Sequence, residues 1–231
     1  MDSEHGFAVH ISLGASGVAR WLAGSCLFVL FRLFLTGNTT SRFQISPRML
    51  HDNRTGRVTG IRWVPSVNFD ERPKGTRVNA LVVHCISLPP GEYGGQNVER
   101  FFCNSLDCDA HPYFEHIRGL RVSAHFLIKR GGEMTQFVST LDRAWHAGRS
   151  TLAGTGEVND FSIGVELEGL DDDEYADAQY HALARLTRTL MAAYPEIGPD
   201  RVVGHSDIAP ERKTDPGSRF DWGRFRRDIG L

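Results

Sequence analysis

Apolar and polar positions change rhythm along this chain, and the change at about residue 60 marks where a folded domain begins. Ile61-Arg62-Trp63-Val64-Pro65-Ser66 alternates and then breaks at Pro65, which predicts a short edge strand. Val78-Asn79-Ala80-Leu81-Val82-Val83-His84-Cys85-Ile86 is apolar and β-branched almost throughout, the pattern of a strand buried on both faces. Gln96 to Cys103 predicts a short helix with Val98, Phe101 and Phe102 on one side. A polar-aromatic segment opens at His111-Pro112-Tyr113-Phe114. Val122 to Arg130 reads as a strand, Gly131-Gly132 as a two-residue turn, and Glu133 to Val138 as the return strand. Phe161 to Gly169 is a further apolar strand with Glu166 and Glu168 near its end. Two apart, those acids point to the same face.

The clearest helix runs from Asp177 to Tyr194. Tyr180, Leu183, Thr187, Leu190 and Tyr194 form its apolar stripe, with Asp177 as the N-cap and Pro195 as the stop. Asp221 to Ile229 reads as a last amphipathic helix.

Composition narrows the classes. A chain of 231 residues with 41% hydrophobic and 23% charged positions suits one globular domain with an appendage. A formal charge of −2 gives no bulk electrostatic case for nucleic acid. Cys26, Cys85, Cys103 and Cys108 form no CxxC pair, and the spacing of the last two suits neither a zinc knuckle nor a redox motif. Reduced thiols are the expectation.

Residues 1–48 differ from the rest of the chain. Trp21 to Leu35 is nearly all apolar but carries Arg32 and falls short of the roughly 20 residues a membrane span needs. No small-residue cleavage site follows it. A membrane anchor, a poor signal sequence and translated upstream sequence with the start at Met49 are the three readings. The last is the working expectation, which divides the chain into an extension, 1–48, and a catalytic domain, 49–231.

The chemistry gathers in Gly204-His205-Ser206-Asp207-Ile208-Ala209-Pro210-Glu211-Arg212-Lys213-Thr214-Asp215-Pro216-Gly217. Two prolines and two glycines there predict a loop after the short strand Arg201-Val202-Val203. Lys213 and Asp215 are two apart and point the same way in an extended segment. A lone His in a buried strand, as His84 is, is more often a hydrogen-bonded core residue than a ligand, and its place near the strand's C-terminal end adds weight to the ligand reading. Trp145-His146 is either a pocket wall or an anchored loop. Glu166, flanked by Val165 and Leu167, is the acid whose partial burial suits general acid–base work. His84, His205 and Asp215 fit a zinc site with an open fourth place, although spacing alone makes that a weak signal. No HExxH pair is present.

Six segments together resemble one family. Leu81-Val82-Val83-His84, Ser87-Leu88-Pro89-Pro90-Gly91-Glu92, Leu120 to His125, Arg143-Ala144-Trp145-His146-Ala147-Gly148, Asn159 to Gly169 and Gly204-His205 through Asp215-Pro216-Gly217 are similar to the AmpD-type 1,6-anhydro-N-acetylmuramyl-L-alanine amidases, from about residue 58 to 228. The resemblance implies an α/β fold with a central mixed β-sheet and flanking helices, the type-2 amidase fold shared with peptidoglycan recognition proteins. It implies one Zn2+ per chain, held by His84, His205 and Asp215. It makes Glu166 the catalytic glutamate and Lys213 the oxyanion-stabilising lysine, and it places Arg121 and Trp145 in the substrate cleft. Where the family usually has Asn, this chain has Cys85, so a substrate hydrogen bond there is weakened or replaced. The region Thr151 to Val158 matches poorly and lacks arginine. The implied substrate is an anhydro-muropeptide of cell-wall recycling, met in the cytoplasm by a monomer without stable membrane association. The rival readings are an exported amidase acting on intact peptidoglycan and a muropeptide-binding module without catalysis.

Overall fold

The computed structural model describes residues 49–231. The expectations placed on 1–48, the apolar run included, lie outside the described residues. Two small hairpins flank the domain, β1 (His51–Asp52) with β2 (Arg57–Val58), and later β9 (Thr151–Leu152) with β10 (Thr155–Gly156). Between them come β3 (Arg62–Trp63), β4 (Phe69–Glu71), β5 (Ala80–Ile86), β6 (Phe126–Ile128), β7 (Met134–Gln136) and β8 (Asp142–Ala144). The last strands are β11 (Ser162–Glu168) and β12 (Val202–Gly204). The helices are α1 (Asn97–Phe102), α2 (Asp177–Ala193), the single turn α3 (His205–Ile208) and α4 (Trp222–Ile229).

The central sheet has the order β12-β5-β11-β6-β7-β3. Its neighbours run parallel except β6 and β7, so the sheet is mixed, as expected. The edge strand expected around Trp63 is β3.

The two-residue period of β5 and β11 sorts their side chains. Leu81, Val83, Ile163, Val165 and Leu167 pack with Leu183, Leu186 and Leu190 of α2 and with Phe225 and Ile229 of α4. Ala80 and Val82 join Val203, Val158, Phe161 and Ile208 in a separate cluster. His84 and Glu166 carry on the same alternation as Ala80 and Val82, and they are register partners across the parallel pair. A third cluster, with Phe101, Phe102, Phe114, Leu127 and Phe137, closes the sheet's other end. Arg72 reaches in from beside β4 and donates to the carbonyls of Asn159, Asp160 and Ser162, which ties down the entry into β11.

Four expectations shift. The loop Gly204–Gly217 begins with a helical turn, α3, because the Asp207 carboxylate accepts the Gly204 N–H at 2.7 Å and caps it. The strand expected over Val122–Arg130 shortens to β6. The His125 ring accepts the Gly164 N–H at 3.0 Å through Nδ1, in place of a strand carbonyl. The turn after β6 holds three residues, with the Lys129 N–H donating to the Glu133 carbonyl and Gly132 left-handed at φ 86°. Finally, Asp177 is not the N-cap of α2. Ala176 holds that place because Gln179 Oε1 accepts the Ala176 N–H, which starts the helix one residue earlier. Asp177 instead pairs with Arg224 of α4 at 2.7 Å.

Leu183 sits at 0% exposure between the sheet and α4. Leu183→Ala is expected to cost about 2–5 kcal/mol of unfolding free energy. Leu141→Ala, at an exposed position, should change it by about 0.5 kcal/mol or less. Urea denaturation of both variants checks this, and equal midpoints would contradict the packing described.

Candidate metal centre

The site stands at the C-terminal ends of parallel strands, where open sheets leave a crevice. β5 delivers His84, and its neighbour β11 delivers Glu166. On the other side β12 pairs Gly204 with Val83 and releases the chain into α3, whose first residue is His205. Asp215 returns to the same point because the Ser206 N–H donates to the Asp215 carbonyl at 2.9 Å. Gly204 permits this close return, since a Cβ there would lie 2.8 Å from Pro216 Cδ.

Three side-chain atoms converge. His84 Nδ1 lies 3.0 Å from His205 Nδ1 and 3.0 Å from Asp215 Oδ2. His205 Nδ1 lies 3.1 Å from Asp215 Oδ2. In a tetrahedral zinc site with bonds of about 2.0–2.1 Å, ligand atoms stand about 3.3 Å apart. The observed triangle is of that size. The far nitrogen of His205, Nε2, lies 3.0 Å from the Ala147 carbonyl oxygen. A carbonyl only accepts, so Nε2 carries the proton of the neutral ring and Nδ1 presents its lone pair. That lone pair meets a carboxylate oxygen, another acceptor. Both histidines are buried. Facing acceptors in a buried place repel unless a cation sits among them, so the donor set fits a metal ion.

The surrounding groups are strongly perturbed. Burial pushes the His84 imidazole down to about 4, so it is neutral and able to ligate at neutral pH. Burial by itself would raise the Asp215 carboxyl, but the His205 and His84 rings beside it outweigh burial and hold it below the ordinary carboxylate range. Glu166 is 8% exposed, and its Oε2 has no hydrogen-bond partner among the described residues. Burial first, then the nearby Asp215 charge, pushes its carboxyl well above the usual range. Glu168 differs although it lies on the same strand. Its carboxylate accepts the Gly94 N–H at 2.7 Å and the Arg130 N–H at 3.1 Å, so it is engaged in holding loops.

A cleft of about 490 Å3 opens over this centre. Its lining includes the largely apolar side chains of Phe101, Tyr113, Ile117, Leu120 and Val122. It also includes the polar residues Asp171, Arg212, Lys213 and Thr214. Trp145 and Cys85 line the cleft, as does His146, which is buried and bonded to His84. Arg121 is exposed and is not part of the lining, although its neighbours Leu120 and Val122 are. Tyr113, Leu120, Asp171 and Arg212 were not singled out for the cleft from the sequence. Only for Leu120 was there a signal, an isolated large apolar residue beside Arg121 with no strand or helix stripe to absorb it.

The family profile of N-acetylmuramoyl-L-alanine amidases, Amidase_2, matches residues 74–218 and so takes in all these residues. The chain belongs to this amidase family. The 1,6-anhydro-N-acetylmuramyl-L-alanine amidase AmpD of Salmonella typhimurium strain SL1344 is 54% identical over 176 residues, 76% of this chain and 94% of that protein. AmpD of Haemophilus influenzae is 49% identical over 182 residues, 79% of this chain and 99% of that protein. The crystal structure of a selenomethionine AmpD derivative superposes with a TM-score of 0.76 at 52% identity, covering 78% of this chain and 99% of that one. The amidase fold expected from the residues is thus the fold observed.

Acid should destabilise the metal-free amidase domain. Burial lowers His84 to about 4 and His125 to about 3, and it holds His146 well below 6.5. Between 6.5 and about 4 the unfolded chain therefore takes up protons that the folded chain refuses, and stability falls as pH falls. Glu166, shifted upward, acts in the opposite sense, but as one group against three. Chelator-treated protein should melt at steadily lower temperature across this window. A flat or rising profile would show that the buried histidines are not neutral.

Proposed function

We propose that this chain is a zinc-dependent amidase that hydrolyses the bond between the lactyl group of 1,6-anhydro-N-acetylmuramic acid and the L-alanine of muropeptides. One observation carries the reading. The buried His84–His205–Asp215 triangle, with Glu166 beside it whose Oε2 has no partner among the described residues, lies in a chain that aligns along 94% of an AmpD amidase at 54% identity. Recycling of cell-wall fragments in the cytoplasm is the setting this substrate belongs to, and that setting is part of the proposal.

His84, His205 and Asp215 would hold the ion. Zinc held there would supply Lewis-acid polarisation of the scissile carbonyl and acidification of the attacking water. The protein's own residues do the rest. Glu166, whose carboxyl burial pushes well above the usual range, would take the proton of the attacking water and pass it to the departing amine. Lys213 lies on the cleft wall and carries the positive charge that offsets the negative charge growing on the carbonyl oxygen. Asp215 contributes one negative charge against the ion's two, so the centre stays electrophilic. Trp145 and the apolar side chains of the lining offer surface to a sugar ring, and Cys85 offers a neutral thiol, which burial pushes up to about 12.

Asp215→Ala is expected to lose metal and activity together, read by metal analysis and by mass spectrometry of digested anhydro-muropeptides. Glu166→Ala and Lys213→Ala should keep zinc. The lysine variant should lose about 100- to 1000-fold in kcat, and the glutamate variant about 100- to 10,000-fold. Glu168→Ala should retain far more activity than Glu166→Ala, and equal losses would reverse the assignment of the acids. Cleavage of intact peptidoglycan in preference to the anhydro-muropeptide would favour an exported, broader amidase. Binding without cleavage would favour a recognition module.

Residues 1–48 are proposed to be dispensable. Met49 is packed into the main apolar cluster, and residues 49–231 carry the candidate ligands and the whole cleft lining described above. A chain of residues 49–231 should therefore match the full chain in kcat/KM. Loss of folding or activity in that shorter chain would assign 1–48 a necessary role.

A further inference from the structure

The triangle leaves one question of hydrogen placement, and its answer lies behind His84. The far nitrogen of His84, Nε2, is 2.9 Å from His146 Nδ1, and both rings are buried. His146 Nε2 is 3.2 Å from Ser162 Oγ. Ser162 Oγ is 2.6 Å from the Val158 carbonyl oxygen. The chain of contacts ends on a group that can only accept, and this sets the direction of every bond before it. The Ser162 hydroxyl must donate to Val158, so its oxygen is free to accept the His146 Nε2–H. His146 Nδ1 is then a bare acceptor and takes the His84 Nε2–H. The proton of neutral His84 is thereby drawn away from the triangle, and Nδ1 faces it as a lone pair.

We propose that His146, oriented by Ser162, is a positioning residue that selects the metal-binding tautomer of His84. It rests on the zinc reading above and extends it to a residue outside the triangle. The backbone is shaped around this ring. Gly164 lies beneath His146, and a Cβ there would come within 2.4 Å of His146 Cγ. The Asn159 side chain accepts the N–H groups of His146 and Ala147, at 3.1 and 2.8 Å, and so holds the segment carrying the ring. Ala147 is also the residue whose carbonyl fixes His205. A single short stretch, His146-Ala147, therefore sets the proton on both ligand histidines, one through a side chain and one through a carbonyl.

The test uses the full chain and reads zinc affinity by competition with a chromophoric chelator, independently of turnover. His146→Leu keeps bulk but removes the acceptor, and it should weaken zinc binding about 10- to 100-fold. His146→Asn places an oxygen near the position of Nδ1 and should recover most of that loss, which a purely steric role would not allow. In metal-free wild-type protein, long-range 1H–15N spectra of labelled histidine should show His84 protonated at Nε2. In Ser162→Ala the same spectra should show a mixture of tautomers. Protonation of wild-type His84 at Nδ1, or a His146→Leu variant with wild-type zinc affinity, would overturn the proposal. The spectrum of the unmodified protein decides even where a variant fails to fold. A wild-type chain that binds no zinc at all would sink the zinc reading and this proposal with it. A chain that binds zinc and shows the tautomer but cleaves no muropeptide would leave the tautomer claim standing and refute the substrate assignment alone.

Discussion

Three acceptor atoms held face to face in a buried place are the constraint on which the structure turns. Left to themselves, His84 Nδ1, His205 Nδ1 and Asp215 Oδ2 would move apart, because each presents electron density to the others at about 3 Å. The scaffold prevents it. His84 is fixed within β5, which is paired on both sides by β12 and β11. His205 is fixed in a capped turn, and Asp215 is tied to Ser206 through the backbone. A rigid cluster of this kind is strained without a cation and relieved by one, so metal binding and local stability are one free energy counted at the same place.

The same register that builds the core builds the site. Along β11, Ile163, Val165 and Leu167 face α2, while Ser162, Gly164 and Glu166 fall on the alternate face. These three alternate residues do three different things. Ser162 bonds to His146, Gly164 leaves room for its ring, and Glu166 stands beside His84 in register. A one-residue slip of β11 would put apolar residues over the metal centre and acids into the core. Folding therefore cannot be right without the site also being assembled.

Much of this was legible in the residues. The doubly apolar run before Ile86 announced β5, and the stripe from Tyr180 to Leu190 announced α2, because burial on these elements is periodic. The ligands were legible as residue types in loops after strands, but their convergence was not, since 131 positions separate His84 from Asp215. What stayed hidden was local hydrogen bonding. Nothing in the apolar pattern says that the His125 ring replaces a strand carbonyl, or that Gln179 starts α2 one residue early. Tertiary partners made those choices, and periodicity carries no record of them. Glu166 and Glu168 look alike in sequence for the same reason. Only their partners separate them, none among the described residues for one Glu166 oxygen and two backbone N–H groups for Glu168.

Cys85 adjoins His84 in sequence, and a thiolate there would be a stronger zinc ligand than a carboxylate. The fold keeps it out of the centre in two ways. As the next residue along β5 it turns to the opposite face, where it packs against the main apolar cluster while also lining the cleft. Burial also pushes its thiol up to about 12, with the nearby carboxylates of Glu166 and Asp215 adding to the shift against the hydrogen bond from Tyr175. At neutral pH the sulfur is therefore protonated, and a thiol neither ligates nor attacks as a thiolate does. The candidate metal centre keeps two imidazoles and one carboxylate although a softer ligand type lies one residue away. Cys85 thus contributes to the cleft lining while the three candidate ligand atoms converge without it.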